Sequence, residues 1–280
     1  MTQITILTDS TCDIPPALLE RYHIAVVPLC VIWGHEELRD GQDIDTPTFY
    51  TRLAQDPCHP QTSQPTPAAF AEAVRRADAE QALIITLTSA LSGTYEAAVQ
   101  AQAMLDCPVH VVDSRSLSMG LGWQVLAAAR ERERGGSMAA MIAAAEQVRD
   151  RLSLLLTLNT LEYLHRGGRI GTAAKLLASA VQLKPVLEVD HVTGALQVAG
   201  KIRTRRKALT NLVEETFARL DHARPMRVAV LHGGALEDAQ TLVEAVKRRV
   251  QPLELILAQI TPALGVHGGP GAVGICAYNT

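Results

Sequence analysis

Ser89-Ala-Leu-Ser-Gly-Thr-Tyr95 follows the apolar run Ala82-Leu-Ile-Ile-Thr-Leu87. It leads into a segment, up to Leu105, with small or apolar residues at 97, 98, 101, 104 and 105. The run favours β structure and the later spacing is helical, so the stretch reads as strand, tight turn and helix. Ser92 falls where a helix N-cap belongs, and Gly93 lets another group approach the backbone closely. The first N–H groups of a helix have no partner inside it, and the helix dipole is positive there. A hydroxyl beside such groups makes a ready anion site. The plainer reading is that Ser92 only caps the helix. Glu96 comes one residue too late to complete a capping box with Ser92.

The same unit recurs on either side. A strand over 3–8 ends at Asp9-Ser10, and one over 109–112 ends at Asp113-Ser114. Helical segments lie between, opened by Pro15-Pro16, by Thr46-Pro47 and near Ala68. Three such units predict a parallel sheet that gathers its ligand groups at the carboxyl ends of the strands. Ile24 to Val27 and Leu29 to Trp33 are strand-like, and 34–45 reads as a loop or hairpin. Asp56 to Pro67 holds four prolines and reads as an irregular loop with Thr62-Ser63-Gln64 at its polar middle. Helices over 117–133 and 138–149 follow in tandem.

Beyond 150 the rhythm changes. A strand over 152–158, a helix stopped by Gly167-Gly168 and a helix over 172–181 come first. A hairpin around Val192-Thr-Gly194 and a helix capped by Thr204 follow. Strands over 227–231, 253–259 and 272–278 flank a helix over 235–249 and the turn His267-Gly-Gly-Pro-Gly271. The expected fold class is therefore α/β: an N-terminal parallel-sheet α/β domain, 1–150, and a C-terminal α+β domain, 151–280. The ligand pocket is expected between them.

At 280 residues, 48% of them hydrophobic, the chain can bury a full core. A formal charge of -3 argues against a nucleic-acid or anionic-membrane binder. Five scattered cysteines without a C-x-x-C pair point to a reduced, cytoplasmic protein with no zinc site. The chain opens directly in a strand, so no signal peptide is expected. The uncharged run from Leu255 onward is broken by Pro262, Pro270 and five glycines, which rejects a membrane span. Aromatics are only 4%, so an internal pocket would have aliphatic walls.

Three polar sites remain once structural roles are assigned: Thr62-Ser63-Gln64, Ser92-Gly93-Thr94 and His267. Together they offer hydroxyls, an imidazole and helix N–H groups, a set suited to an ionised carboxylate, which only accepts hydrogen bonds. A G-x-S-x-G elbow and a P-loop are absent, and Gly120-Leu-Gly122 lacks the context of a dinucleotide fingerprint. No carboxylate cluster has metal-ligand spacing, so neither cofactor nor metal is expected. Lys201-Ile-Arg-Thr-Arg-Arg-Lys207 places cations at a helix start, against the dipole, which favours a contact with a partner or phosphate.

Asp9-Ser-Thr-Cys-Asp13, Thr62-Ser-Gln-Pro65, Leu91-Ser-Gly-Thr-Tyr95, Asp113-Ser114, Leu161-Glu-Tyr-Leu-His-Arg-Gly-Gly-Arg-Ile170, Lys201-Ile-Arg-Thr204 and His267-Gly-Gly-Pro-Gly271 together resemble the DegV family. They span nearly the whole chain in the family's order. The one departure is Cys12, where a serine is common. The resemblance implies a two-domain α/β fold with a long-chain fatty acid, palmitate among them, in a tunnel between the domains. It implies that Thr62, Ser92 and His267 hold the carboxylate, with Ser63, Gly93 and Thr94 beside them. It further implies a carrier rather than an enzyme, acting in phospholipid synthesis with at most transient membrane contact. Some relatives present the fatty acid to an ATP-dependent fatty-acid kinase, and Arg169 and Arg203 match the residues that matter there. The rival reading is a hydrolase or acyl or phosphoryl transferase using Ser92 and His267, for which no second acid–base partner is visible.

Overall fold

In the computed structural model, which describes residues 4–176 and 183–280, strand β1 (Ile4–Asp9) runs into a single 3-10 turn, Ser10–Cys12. Helix α1 (Pro16–Arg21) follows, with proline at its first position, where the fixed φ suits a helix start. Strands β2 (Ile24–Val27), β3 (Cys30–Trp33) and β4 (Glu36–Arg39) lead to helix α2 (Thr46–Gln55). Next come β5 (Gln61–Ser63), α3 (Pro67–Arg76), β6 (Gln81–Thr86), α4 (Thr94–Ala101) and β7 (Val109–Asp113). The tandem helices α5 (Met119–Glu133) and α6 (Met138–Arg149) close this half.

Strands β2, β1, β6 and β7 form one sheet in that order, every pair parallel. β1 and β6 are buried on both faces after their first residue. That is why they read as continuous apolar runs rather than alternating ones. Parallel pairing brings the ends of β1, β6 and β7 to one edge, as the three turns required. A second, three-stranded sheet of order β4-β3-β5 is antiparallel throughout.

The second half contains β8 (Ser153–Thr157), α7 (Glu162–Arg166), β9 (Lys184–Val189), β10 (Leu196–Ile202) and α8 (Arg205–Ala218). It continues with β11 (Met226–Gly233), α9 (Leu236–Arg249), β12 (Glu254–Gln259), α10 (Pro262–Gly268) and β13 (Ala272–Asn279). The six strands order as β10-β9-β8-β13-β11-β12. Only β11 and β12, joined through α9, are parallel. Helix α5 lies in the apolar cluster that joins this sheet to the first. It is buried almost all round from Met119 to Ala129, so it shows little amphipathic contrast. Around it the cluster runs from Ile6 and Leu83 through Trp123 to Leu187 and Tyr278.

Three expectations are corrected. Thr62 lies not in an irregular loop but on β5, where Val31 pairs with Thr62 and Cys30 with Ser63. The prolines at 60 and 65 flank this strand and leave its own N–H groups free to pair, and the residue before Pro65 is driven to extended backbone. His267 lies not in a loop but in the last turn of α10, a helix the sequence reading lacks. The helix expected over 172–181 is, in its described part, a 3-10 segment Gly171–Leu176; residues 177–181 lie outside the described residues. Thr204 caps α8 as expected, its hydroxyl accepting from the Lys207 amide. Among the described residues, no helix is long and apolar enough to cross a membrane.

Candidate ligand site

The turn after β6 is built by two carboxylates. Asp9, fully buried at the end of β1, accepts from the Leu87 amide at 2.7 Å and from Thr11 through both its amide and its hydroxyl. Asp113, at the end of β7, accepts from the Ser89 hydroxyl at 2.6 Å. Of the three turns at this edge, carboxylates from two therefore fix the third. The fixed turn carries Ser92.

Ser92 is not the cap of α4. The carbonyl of Gly93 accepts the first helical bond, from Ala97, so Gly93 occupies the N-cap. The Ser92 hydroxyl lies 2.9 Å from the Thr94 hydroxyl and accepts from the Thr94 amide at 3.3 Å. One of the helix-start N–H groups expected to face a ligand is thus already used. A Cβ at Gly93 would stand 2.3 Å from the oxygen at the far end of the exposed Gln64 side chain.

Thr62, Ser92 and His267 line the same cavity. Thr62 Oγ1 is 2.9 Å from His267 Nε2. The other ring nitrogen, Nδ1, is buried with no hydrogen-bond partner among the described residues. Burial, followed by the charges of Arg169 and His59, pushes His267 down to about 4, so the imidazole is neutral at pH 7. The ring rests directly on Gly167, where a Cβ would stand 2.1 Å from Nδ1. The Leu161–Ile170 and His267–Gly271 motifs, far apart in sequence, are therefore in contact at this site.

Away from these groups the wall is mostly aliphatic and drawn from both halves of the chain. Leu29, Leu87 and Leu117 come from the first half, and Leu156, Leu196 and Leu231 from the second. The centre of a water molecule can occupy about 100 Å³ of the cavity. A polar groove continues outward past Ser63, Gln64 and Thr66 and shares Thr62, Ser92 and Arg169 with the cavity. Ser63 thus belongs to the outer groove, while Gly93 and the fully buried Thr94 stand behind Ser92.

Arg169 lines both cavity and groove. Its guanidinium donates to the Gly167 carbonyl at 2.7 Å and the Leu91 carbonyl at 3.3 Å, tying the turn that holds Ser92 to the end of α7. The sequence reading associated Arg169 with a partner and had no signal for its place beside the polar groups. Arg203 is exposed between β10 and α8. Arg205, from the same basic cluster, pairs with Asp238 at 2.8 Å and donates to the Gly271 carbonyl. Among the described residues, no hydrogen bond joins Ser92 to His267, and no group of three or more His, Cys, Asp or Glu side chains could hold a metal ion. Sequence reading also missed Ser118, which lines the cavity with φ of 52°.

A family model described as an uncharacterised protein of the DegV family matches residues 3–280. A DegV domain-containing protein of Streptomyces coelicolor is 37% identical over 276 residues, 97% of each chain. Among solved structures, one described as fatty acid binding of a DegV family protein from Thermus thermophilus matches with a TM-score of 0.93 and 33% identity over 100% of both chains. A stearic acid-binding protein from Eubacterium ventriosum matches with a TM-score of 0.90 and 25% identity over 100% of this chain and 98% of that one.

Proposed function

The chain belongs to the DegV family, and from that premise we propose that it binds a long-chain fatty acid, with Thr62, Ser92 and His267 holding the carboxylate. The observation that carries the reading is the meeting of these three side chains at one cavity whose remaining wall is mostly aliphatic. Burying a methylene is worth about 0.8 kcal/mol, so a long acyl chain gains on the order of 10 kcal/mol from enclosure. A buried carboxylate without donors would forfeit much of that gain. The Ser92 hydroxyl and the Thr62–His267 pair, which has one proton left beyond its mutual bond, supply donors, and the Arg169 cation lies beside them.

The protein acts as a carrier in the cytoplasm, not as a catalyst. Ser92 bonds Thr94, and His267 bonds Thr62, which leaves the serine without a base. The carrier presents its fatty acid to a kinase that forms an acyl phosphate, with Arg169 and Arg203 at that encounter. Residues 1–150 and 151–280 form its two domains. The strands of the parallel sheet all precede residue 114 and those of the six-stranded sheet all follow residue 152, which supports a boundary at 150.

Native mass spectrometry of freshly purified protein tests the proposal. One long-chain fatty acid per chain is expected. Protein that yields no lipid and takes up none on addition would overturn it. Turnover of p-nitrophenyl esters would favour the hydrolase instead. Arg203→Ala is expected to leave fatty-acid binding intact and to slow phosphorylation by a cognate kinase.

A further inference from the structure

Helix α10 carries His267, yet its own sequence does not cap it. Thr261, at the N-cap, makes no side-chain cap bond; its hydroxyl donates instead to the Ser10 carbonyl at 3.1 Å. Pro262 has no N–H. Two of the remaining donors of this entry are taken by carboxyl groups from the other half of the chain. Asp13 accepts from the Thr261 amide at 3.0 Å, and Asp40 from the Ala263 amide at 3.3 Å. A fourth bond, from the Tyr50 hydroxyl to the Ile260 carbonyl at 3.1 Å, fastens the preceding residue. The entry to α10 is thus held by four bonds from the N-terminal half, beside the bond from the Ile260 amide to the His232 carbonyl.

Both carboxyl groups reach further. Asp40 also accepts from the Ser10 hydroxyl at 2.7 Å, and Asp13 and Asp40 are both buried. Asp13 also accepts from the Ser118 hydroxyl, and Ser118 lines the cavity. Asp13 and Ser118 both have positive φ, 50° and 52°, a conformation that non-glycine residues hold only where surrounding contacts impose it. Ile260 and Ala263, inside the clamped segment, line the cavity together with His267.

We propose that Asp13 and Asp40 are positioning residues for the headgroup site: by capping α10 from the opposite half of the chain they set His267 against Thr62. This rests on the fatty-acid reading above. The headgroup of the ligand then depends on the two carboxyl groups, although neither meets it. The acyl chain, held by leucines from several other elements, depends on them much less.

The test compares a long-chain fatty acid with the alcohol of the same length, by titration into the full chain and three variants. Asp40→Ala removes the acceptor and is expected to weaken the acid about tenfold and the alcohol much less. Asp40→Asn keeps an oxygen facing the Ala263 amide and is expected to restore the acid affinity. Should Asp40→Ala not fold, Thr261→Val removes a weaker anchor of the same clamp and is expected to weaken the acid about threefold with the alcohol unchanged. Equal effects on acid and alcohol, or no effect on either, would overturn the proposal, because a merely structural role cannot sense the headgroup. Failure of the parent protein to bind the acid at all would overturn the fatty-acid reading itself.

Discussion

Thr62 Oγ1 on β5 and His267 Nε2 on α10 lie 2.9 Å apart although 205 residues separate them in the chain. One side chain comes from a three-residue strand and the other from a helix clamped by the opposite half. Their hydrogen bond joins two of the three polar groups at the cavity.

A pair so linked should act as a unit. Thr62→Val and His267→Ala are each expected to lower long-chain fatty-acid affinity about tenfold. The double variant should lose clearly less than the product of the two, because each single change already disables the shared hydrogen bond. Titration calorimetry on the four proteins measures the coupling. Strict additivity would mean that the two side chains meet the ligand independently.

Ser92 is the cleanest single probe, since Gly93, not Ser92, caps α4. Ser92→Ala removes one hydrogen bond to a charged group, worth roughly 1.5–3 kcal/mol. Affinity for the fatty acid should fall about tenfold to a hundredfold, and that for the fatty alcohol less. Thermal melts should move little. An unchanged acid affinity would remove Ser92 from the site.

Two glycines beside the site should respond differently to a methyl group. At Gly167 the added Cβ meets the confined ring of His267 at 2.1 Å, so Gly167→Ala should displace the imidazole and weaken acid binding. At Gly93 the Cβ meets the far end of the exposed Gln64 side chain at 2.3 Å, which can swing aside. Gly93→Ala should therefore bind almost as the parent does. Titrations of both variants check this contrast; the reverse order of effects would show that His267 does not need its present position.

The pH dependence of stability follows from Asp13 and Asp40. Burial pushes each up to about 7, and the Coulombic effect of neighbouring carboxyl groups adds to it: Asp40 on Asp13, and Asp9 on Asp40. Between the ordinary carboxyl range and pH 7 the folded chain keeps protons that the unfolded chain releases, so stability falls as pH rises through that window and levels above it. His267 works in the opposite sense, adding stability as pH rises from about 4 to 6.5. Asp40→Asn carries no charge at position 40 at any pH. Its melting temperature, relative to the parent, should therefore climb between pH 5 and pH 8. A relative fall over that range would show that the ionised Asp40 stabilises the fold.

The parallel sheet was legible because its strands are buried on both faces and end in recognisable turns, as Ile4–Asp9 and Gln81–Thr86 do. Helices with strong local signals, such as Met138–Arg149 after Ser137, were legible for the same kind of reason. Ser92, Thr62 and His267 could be singled out as unassigned polar residues in distinctive settings. The carboxylate-holding role proposed for them as a set came from the family resemblance, not from spacing.

Only the tertiary structure decided what those residues stand on and beside. β5 exists because three extended residues between prolines add to the edge of β3, and no local pattern records that partner. α10 was invisible because its sequence is short, holds glycines at 265 and 268, and lacks a local cap; Asp13 and Asp40 supply the cap from more than 200 residues away. Arg169 and Gly167 gained their places beside His267 by the same route. The sequence by itself determined most strands, most helices and the chemical types available at the site. Hydrogen bonds and packing between residues distant in the chain determined how those types meet, since local propensity acts over a few residues and the cavity is closed by both halves at once.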